Sequence, residues 1–374
     1  MNSKTNIWKP NYSINPAIAR ALMDIEAAKA IVENTPLSPA AETELRYKAR
    51  IRSTHYSTYI EGNKLTLKEA QEVVERTKKD FHGRERDVSE VSNYWDALLK
   101  VEEWAIKKVE FSEDLIKKLH ALVHNGKKAK PTPYREGQNV IRDSASGGIV
   151  YMPPESKDVP LLMSEMVSWV KKAEKEKIPI PIIASLVHYQ FVTIHPYYDG
   201  NGRTARLLAT FILQRDGYGL NGFFSMEEYH ARDLANYYNS LAVHKHHNYY
   251  QGRAEADLTS WIGYFVVLLA KVFTQANDET AKYAGKKTVV EPEKLRKLDH
   301  RSRTVLSLFA KKDKITAQDV ADILGLSQRM ARVLLKEWID DGWLVMADSS
   351  NRGRIYTLEE SYRQFIGNLS AMSD

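Results

Sequence analysis

The chain has 374 residues, 43% of them hydrophobic, and a formal net charge of +6. This length predicts two or three domains of roughly 150 residues each, with a substantial core. The chain has no cysteine, which excludes a disulfide framework and thiolate metal sites, and its polar start has no apolar signal segment. A reducing cytoplasm fits best, and the positive charge permits anionic partners such as nucleotides, nucleic acids or acidic proteins.

Residues 15 to 101 are predicted to be wholly helical, because apolar side chains recur there at helical spacing. A Ser-Pro pair at Ser38 starts one helix, and a Gly-Asn pair at Gly62 ends it. Glu61 lies in the last turn of this helix, where the negative end of the helix dipole disfavours a carboxylate unless a cation meets it. A plain surface glutamate before a glycine cap is the alternative interpretation.

The stretch TIHPYYDGNGRTAR lies between two segments of helical periodicity, and is predicted to be a loop that leads into a helix. Gly200, Asn201 and Gly202 offer unobstructed backbone N–H groups at the start of that helix. The helix dipole favours an anion there, so a phosphate is the natural occupant. A dinucleotide-binding G-x-G-x-x-G/A pattern also fits, but it requires a preceding strand where a helix is predicted.

Four ionisable side chains surround this glycine cradle. Arg203 and Arg206 are three residues apart on the helix, so both guanidinium groups would reach one polyphosphate. The Asp199 carboxylate suits a Mg²⁺ ion shared with phosphate oxygens, and the His195 imidazole suits removal of a proton from an attacking hydroxyl. Together these residues indicate phosphoryl or nucleotidyl transfer.

HPYYDGNGRTAR resembles the active-site motif of Fic-domain proteins, His-Pro-Phe-x-Asp/Glu-Gly-Asn-Gly-Arg-x-x-Arg. Tyr197 stands where phenylalanine is usual, and its hydroxyl needs a partner if it is buried. The resemblance implies a helical enzyme that transfers AMP from ATP to a protein hydroxyl and releases pyrophosphate. The roles it implies are His195 as general base, Asp199 as Mg²⁺ ligand, Gly200, Asn201 and Gly202 as the anion hole, and Arg203 and Arg206 as ligands of the outer phosphates.

Two further elements match the family pattern. A β-hairpin is predicted between Gln138 and Tyr151, because two β-prone runs flank a turn-forming segment. The resemblance implies that it is a flap that pairs with the target, with Val140 and Ile141 as docking residues, although a plain hairpin explains the same pattern. It also implies that Tyr237 and Tyr238 line the adenine pocket, whereas aromatic residues at helical spacing more often belong to a core.

The segment STYIEGN resembles the inhibitory motif of Fic proteins, Ser/Thr-x-x-x-Glu-Gly/Asn, with Ser57 and Glu61 at its two polar positions. An ion pair between Glu61 and Arg206 would occupy the site of the γ-phosphate. ATP would then bind in a pose unsuited to transfer.

Polar residues dominate from 275 to 294, which indicates a linker before a separate C-terminal module. Residues 299 to 358 are predicted to form three helices and two strands around a turn, and resemble a winged helix. Its third helix is predicted to turn Met330, Val333, Leu334 and Trp338 towards a core and Gln328, Arg329, Arg332 and Lys336 outwards. The outward residues, with Arg352 and Arg354 on the wing, would suit DNA, although packing against a protein is equally compatible.

The sequence therefore predicts a mainly α protein with a β-hairpin flap. Its predicted domains are an N-terminal helical region (1–100), a Fic core (101–285) and a winged helix (286–374). An adenylyltransferase inhibited by Glu61 and able to modify itself is the preferred function. A DNA-binding regulator with a Fic sensor core, another nucleotide donor, AMP removal and a homodimer remain open. The longest apolar run, Trp261 to Ala270, is about half the roughly 20 residues that span a bilayer, so a buried helix and no membrane are expected.

Overall fold

The structure is a computed structural model that describes residues 8–75, 81–127, 130–142, 147–284, 298, 300–310, 312–348 and 354–363. Its contacts divide the chain into two compact units, residues 1–30 with 49–276 and residues 31–48 with 277–374. The three predicted domains and the two boundaries between them stay predictions. The division by contacts differs from them in assigning residues 31–48 to the unit that holds the C-terminal part.

Helices form most of the chain up to residue 284, which confirms the mainly α prediction. In chain order they are α1 (Pro16–Asn34), α2 (Pro39–Ile60), α3 (Leu67–Glu75), α4 (Glu85–Ile106), α5 (Glu113–Asn125), α6 (Val159–Lys175), α7 (Ile180–Ile194), α8 (Asn201–Arg215), α9 (Met226–Arg232), α10 (Leu234–Leu241) and α11 (Thr259–Ala284). As predicted, α2 follows Ser38, whose hydroxyl accepts the Ala41 N–H at 3.2 Å. It ends before Gly62, which has a φ of 92° that suits glycine.

The helix α7 lies at the centre of the first unit, against α6 and α8, while α8 also packs on α4 and α5. The sequence predicts one apolar face for α7, but nearly all of its side chains are buried, polar ones such as Ser185 and His188 included. A helix covered on every side can hold the loop that follows it in a fixed position.

The helix α11 contains the longest apolar run. In the described residues it is the one helix with the length and hydropathy of a membrane span, and half of its apolar window is buried within the protein. Trp261, Ile262 and Leu269 are fully buried, so the predicted buried helix is confirmed. The predicted start of the linker at residue 275 is wrong, because α11 continues to Ala284; residues 285–294 lie outside the described residues.

The predicted hairpin is present. Strands β1 (Ile141–Arg142) and β2 (Ile149–Tyr151) pair antiparallel, with Ile141 opposite Tyr151. Residues 143–146 of the connecting turn lie outside the described residues.

From residue 298 onward, the described residues form four helices and a three-stranded antiparallel sheet. They are β3 (Ile315–Thr316), β4 (Leu344–Asp348), β5 (Ile355–Leu358), α12 (His300–Leu306), α13 (Ala317–Leu324), α14 (Gln328–Asp340) and α15 (Glu360–Arg363), with the sheet order β3-β5-β4. The two predicted strands are thus joined by a third that the sequence did not indicate. The assignment as a winged helix stays a prediction.

One residue of α14 was placed on the wrong face. Val333 is 46% exposed, whereas Leu335 is fully buried. The buried positions of α14 are Ala331, Leu334, Leu335 and Trp338, a spacing of three and four that forms one continuous stripe. Gln328, Arg329, Arg332 and Lys336 are exposed as predicted. Arg354 is exposed, while Arg352 lies outside the described residues.

Candidate nucleotide site

The loop between α7 and α8 begins with a strained residue. His195 has left-handed backbone angles (φ 51°, ψ 59°), and its N–H donates to the Phe191 carbonyl at 2.9 Å. Such a conformation costs about 1–3 kcal/mol outside glycine and persists only where the surroundings hold it. Arg135 supplies that support, because its Nε donates to the His195 carbonyl at 3.0 Å and its backbone N–H donates to the Pro196 carbonyl at 2.9 Å.

The imidazole of His195 is oriented to accept a proton. Its Nδ1 lies 3.2 Å from the Val192 carbonyl oxygen. Because a carbonyl only accepts, we assign the ring hydrogen to Nδ1, which leaves the lone pair on Nε2. Burial lowers the pKa of His195 to about 4, so the ring is neutral near neutral pH.

Asn201 closes the loop rather than pointing away from it. Its Oδ1 accepts the Tyr197 N–H at 3.0 Å, and its Nδ2 donates to the Tyr197 carbonyl at 2.8 Å. The Asn201 side chain is therefore used within the loop, and the backbone of Asn201, at the start of α8, is the part that the sequence predicts for an anion.

His120 of α5 supports the loop through one hydrogen bond and one ring contact. Its Nε2 donates to the Asp199 carbonyl at 2.8 Å, and its ring stacks on that of Tyr197 with centroids 3.6 Å apart. Gly200 has a φ of 77°, and a Cβ there would lie 3.2 Å from His120 Nε2. The Tyr197 side chain is buried, and in the described part of the chain its hydroxyl has no hydrogen-bond partner. The sequence had indicated that a buried Tyr197 needs one.

Arg206 joins α8 to α2. Its side chain is 2% exposed. Its Nε donates to Ser57 Oγ at 2.9 Å, and its Nη2 donates to the Ser57 carbonyl at 2.9 Å and to Glu61 Oε1 at 2.8 Å. Burial opposes the charge on Arg206, but the Glu61 carboxylate, together with the nearby Tyr237 and Tyr94, raises the pKa of Arg206 above its ordinary value. The predicted pair between Glu61 and Arg206 is therefore present.

The Glu61 carboxylate also covers the glycine cradle. A Cβ built on Gly202 would lie 2.2 Å from Glu61 Oε1 and 3.2 Å from Arg206 Nη1. Gly202 is the second residue of α8, so this carboxylate lies at the helix N-terminus, where backbone N–H groups and the dipole attract an anion. An internal carboxylate thus takes the position that the sequence predicts for a phosphate.

Asp199 and Arg203 form the other side of the site. Asp199 Oδ1 accepts the Gly200 N–H at 2.6 Å and lies 3.2 Å from Arg203 Nη2. Burial alone would raise the pKa of the Asp199 carboxyl, but Arg203 and the Gly200 N–H hold it below its ordinary value. Arg203, 2% exposed, also lies 3.7 Å from Glu90 Oε1. A half-exposed, ionised carboxylate beside a phosphate cradle fits Mg²⁺, which is commonly bound by one or two carboxylates together with substrate phosphates.

The two tyrosines predicted to line an adenine pocket differ in exposure. Tyr237 is 2% exposed, and its hydroxyl lies 3.1 Å from His188 Nε2. It offers no ring face to a ligand, so the interpretation as a core aromatic residue applies to it. Tyr238 is 49% exposed and donates to the Ile60 carbonyl at 3.3 Å, which places it beside Glu61. Of the pair, Tyr238 alone presents a surface on which a base could stack.

The hairpin is bonded to the loop. Tyr151 donates its hydroxyl to the Thr193 carbonyl at 2.8 Å, and Asn139 donates to the Tyr197 carbonyl at 3.1 Å. The predicted docking residues, Val140 and Ile141, are partly buried. The exposed apolar residues of the hairpin are instead Ile149 and Val150, each 45% exposed.

These contacts define a helical domain with an anion cradle at a helix N-terminus, a neutral histidine beside it and an internal carboxylate over it. Residues 110–213 match the model of the Fic/DOC family, which confirms the Fic domain predicted for that segment. Curated relatives named "Protein adenylyltransferase Fic" include those of Drosophila grimshawi, 28% identical over 200 residues, and Nematostella vectensis, 32% identical over 174 residues. These alignments cover 53% and 46% of this chain but only 40% and 39% of the relatives.

Solved structures of Fic proteins share the fold. A Fic family protein from Desulfovibrio desulfuricans G20 is 25% identical, with a TM-score of 0.59 over 94% of this chain and 99% of that one. Fic-1 of C. elegans (residues 134–508) is 23% identical, with a TM-score of 0.55 over 72% of each chain. The first of these extends the likeness well beyond the Fic domain.

Proposed function

We propose that this chain is a protein adenylyltransferase of the reducing cytoplasm. It transfers AMP from ATP to a Ser, Thr or Tyr hydroxyl of a target protein and of itself, and Glu61 inhibits it. The observation that carries the proposal is the Glu61 carboxylate, 2.8 Å from Arg206 and directly over Gly202, in the place suited to a phosphate. The names of the curated relatives support the same reaction.

The residues of the loop have separate roles in this reaction. Nε2 of His195 removes the proton of the target hydroxyl, and the oxygen forms a bond to the α-phosphorus of ATP. The bond from that phosphorus to the bridging oxygen of the β-phosphate breaks, and pyrophosphate leaves with the electron pair. The N-terminus of α8 and Arg206 bind the outer phosphates. Most of the acceleration comes from holding the hydroxyl and the leaving group in line.

Asp199 is the residue that would hold Mg²⁺, because its carboxylate is ionised and half exposed beside the cradle. The bound ion supplies positive charge that offsets the phosphate oxygens. Arg203 keeps Asp199 ionised and lies beside the same phosphates.

Inhibition follows from competition for Arg206. While Glu61 is paired with Arg206, the γ-phosphate of ATP has no cation there, and the α-phosphate is displaced from its line with the hydroxyl. A misplacement of about 1 Å costs roughly a hundredfold in rate. Glu61→Gly should therefore raise AMP transfer by about that factor.

The test uses ATP labelled at the α-phosphate, incubated with a cell lysate and the purified chain. Glu61→Gly should label lysate proteins and itself about a hundredfold faster than the unaltered chain, and the double variant with His195→Ala should label neither. ATP labelled at the γ-phosphate is the matched control, since adenylyl transfer leaves no label from it. Absence of α-label with Glu61→Gly would refute the proposal, and faster labelling from another nucleoside triphosphate would replace ATP as donor. Label that is removed from a modified protein only when Glu61 is present would instead assign AMP removal.

A second proposal concerns the C-terminal unit. We propose that it binds DNA through α14, because Arg329, Arg332 and Lys336 are exposed on the side away from its buried stripe, and Gln328 is exposed at its first residue. Gel retardation should weaken with salt, and replacing the three cations with alanine should reduce the log–log slope by about three, roughly one per phosphate contact. Truncation after residue 293 should abolish binding. If the whole chain retards no DNA at low salt, the unit has a protein-packing role.

A further inference from the structure

A polar stripe runs along one face of α2 towards the cradle. Ser53 and Ser57 are four apart on α2, and Glu61 follows at the same spacing, one residue after the helix ends. This spacing places side chains above one another on a helix. Ser57 and Glu61 bind Arg206. Ser53 lies one turn earlier and is 5% exposed, and its hydroxyl donates to Glu227 Oε2 at 2.9 Å.

Glu227 is a buried carboxylate at the start of α9, 3% exposed. It accepts three hydroxyl hydrogen bonds, from Ser53 at 2.9 Å, from Ser225 at 3.1 Å and from Tyr94 at 3.1 Å. A buried carboxylate is costly unless such donors surround it. Because Ser53 belongs to α2 and Tyr94 to α4, Glu227 joins these two helices to α9.

Tyr94 connects this carboxylate to the cradle. It is fully buried, and burial together with the Glu227 carboxylate raises its pKa well above the ordinary value. The Tyr94 hydroxyl therefore keeps its proton and donates a hydrogen bond to Glu227. A hydrogen bond with Ser57 and the charge of Arg206 act in the opposite direction and lower the pKa of the Tyr94 hydroxyl. Because Ser57 also binds Arg206, Glu227 and Arg206 belong to one buried network.

We propose that Glu227 is a positioning residue for autoinhibition, which acts through Ser53 to determine how firmly α2 holds Glu61 over Gly202. The inference rests on the proposed function. Glu61 follows Ser53 by eight positions, a rise of about 12 Å at helical spacing. Because α2 is continuous from Ser53 to Ile60, directly before Glu61, it transmits a displacement over nearly all of that length. A hydrogen bond to a charged acceptor changes an equilibrium by roughly tenfold or more.

The test removes the link from α2 and leaves the carboxylate with its other two donors. Ser53→Ala should raise AMP incorporation about tenfold, and Ser53→Thr, which keeps a hydroxyl, should restore inhibition. Thr54→Val is the matched control on the same helix. Thr54 is fully buried, but its hydroxyl has no hydrogen-bond partner in the described residues, so its loss should leave the rate unchanged.

A double-mutant cycle distinguishes positioning from general destabilisation. With Glu61→Gly already present, Ser53→Ala should add nothing, because the inhibitory carboxylate is gone. Equal factors in both backgrounds, or no difference between Ser53→Ala and Thr54→Val, would overturn the inference. Amide hydrogen exchange should also rise along α2 in Ser53→Ala and not in Thr54→Val. If Glu61→Gly transfers no AMP, the proposed function fails, while the exchange measurement still decides whether Glu227 secures α2.

Discussion

Replacing Glu61 with glutamine tests the electrostatics of the cradle without changing its size. Arg206 keeps its two contacts with Ser57 but loses its anionic partner. Hydrogen bonds to charged groups contribute about 1.5–3 kcal/mol, and the 29% exposure of the Glu61 side chain favours the lower end of that range. The free energy of unfolding should fall by about 1.5–2 kcal/mol, which lowers Tm by roughly 3–8 °C for a domain of this size.

Pyrophosphate should reverse this loss. In the Glu61→Gln variant an anion can bind Arg206 and the N-terminus of α8 without displacing a carboxylate. A ligand at about one hundred times its Kd stabilises a protein by about 2.7 kcal/mol, whereas in the unaltered chain part of that energy is spent on breaking the ion pair. Scanning fluorimetry with and without pyrophosphate should therefore show a larger rise in Tm for the variant.

Glu102→Gln is the matched control. Glu102 accepts hydrogen bonds from Arg50 at 3.0 and 2.5 Å. The Glu102 side chain is 14% exposed and that of Arg50 is 15% exposed, so this ion pair, like the pair of Glu61 and Arg206, is largely buried. The loss of this pair should lower Tm by a similar amount, but pyrophosphate should not restore it. Equal pyrophosphate shifts in the unaltered chain and both variants would refute the reasoning that Glu61 occupies an anion site.

Four other predictions follow from the loop and from Arg135, which supports it. Because burial lowers the pKa of His195 to about 4, kcat/KM of Glu61→Gly should stay level from about pH 8 to about pH 5; a fall centred on the ordinary histidine value would contradict this. Below about pH 6.5 this histidine binds a proton in the unfolded chain but not in the folded one. The stability contributed by the neutral His195 ring is therefore complete above that pH and declines towards pH 4. Tyr197→Phe should leave the free energy of unfolding in urea unchanged or raise it by up to about 1 kcal/mol, since the Tyr197 hydroxyl has no hydrogen-bond partner among the described residues; a decrease of more than about 1 kcal/mol would reveal a partner. Arg135→Lys should lower Tm, and in the Glu61→Gly background it should also lower kcat by about tenfold, because the guanidinium that holds the His195 carbonyl is lost. An unaffected kcat would show that the loop keeps its shape without the guanidinium.

The sequence alone was sufficient for the features that contiguous residues encode. The glycines and arginines between His195 and Arg206 lie close together because the loop is short and leads directly into α8. No contact with a distant segment is needed to bring them together. The hairpin and the start and end of α2 likewise depend on local turn and capping preferences.

Only the tertiary structure decided which residues from distant segments meet the loop. Arg135 and His120 lie in segments that no motif marks, and they meet the loop because the fold places α5 and the segment before the hairpin against it. Glu227 of α9 does not touch the loop and is linked to it only through Ser53 of α2 and Tyr94 of α4. Packing also decided that Tyr237 is buried while Tyr238 is exposed, because adjacent residues on a helix point in directions about 100° apart. Periodicity defines a stripe but not the neighbour that covers it, so the partners of a side chain depend on which elements the whole fold brings together.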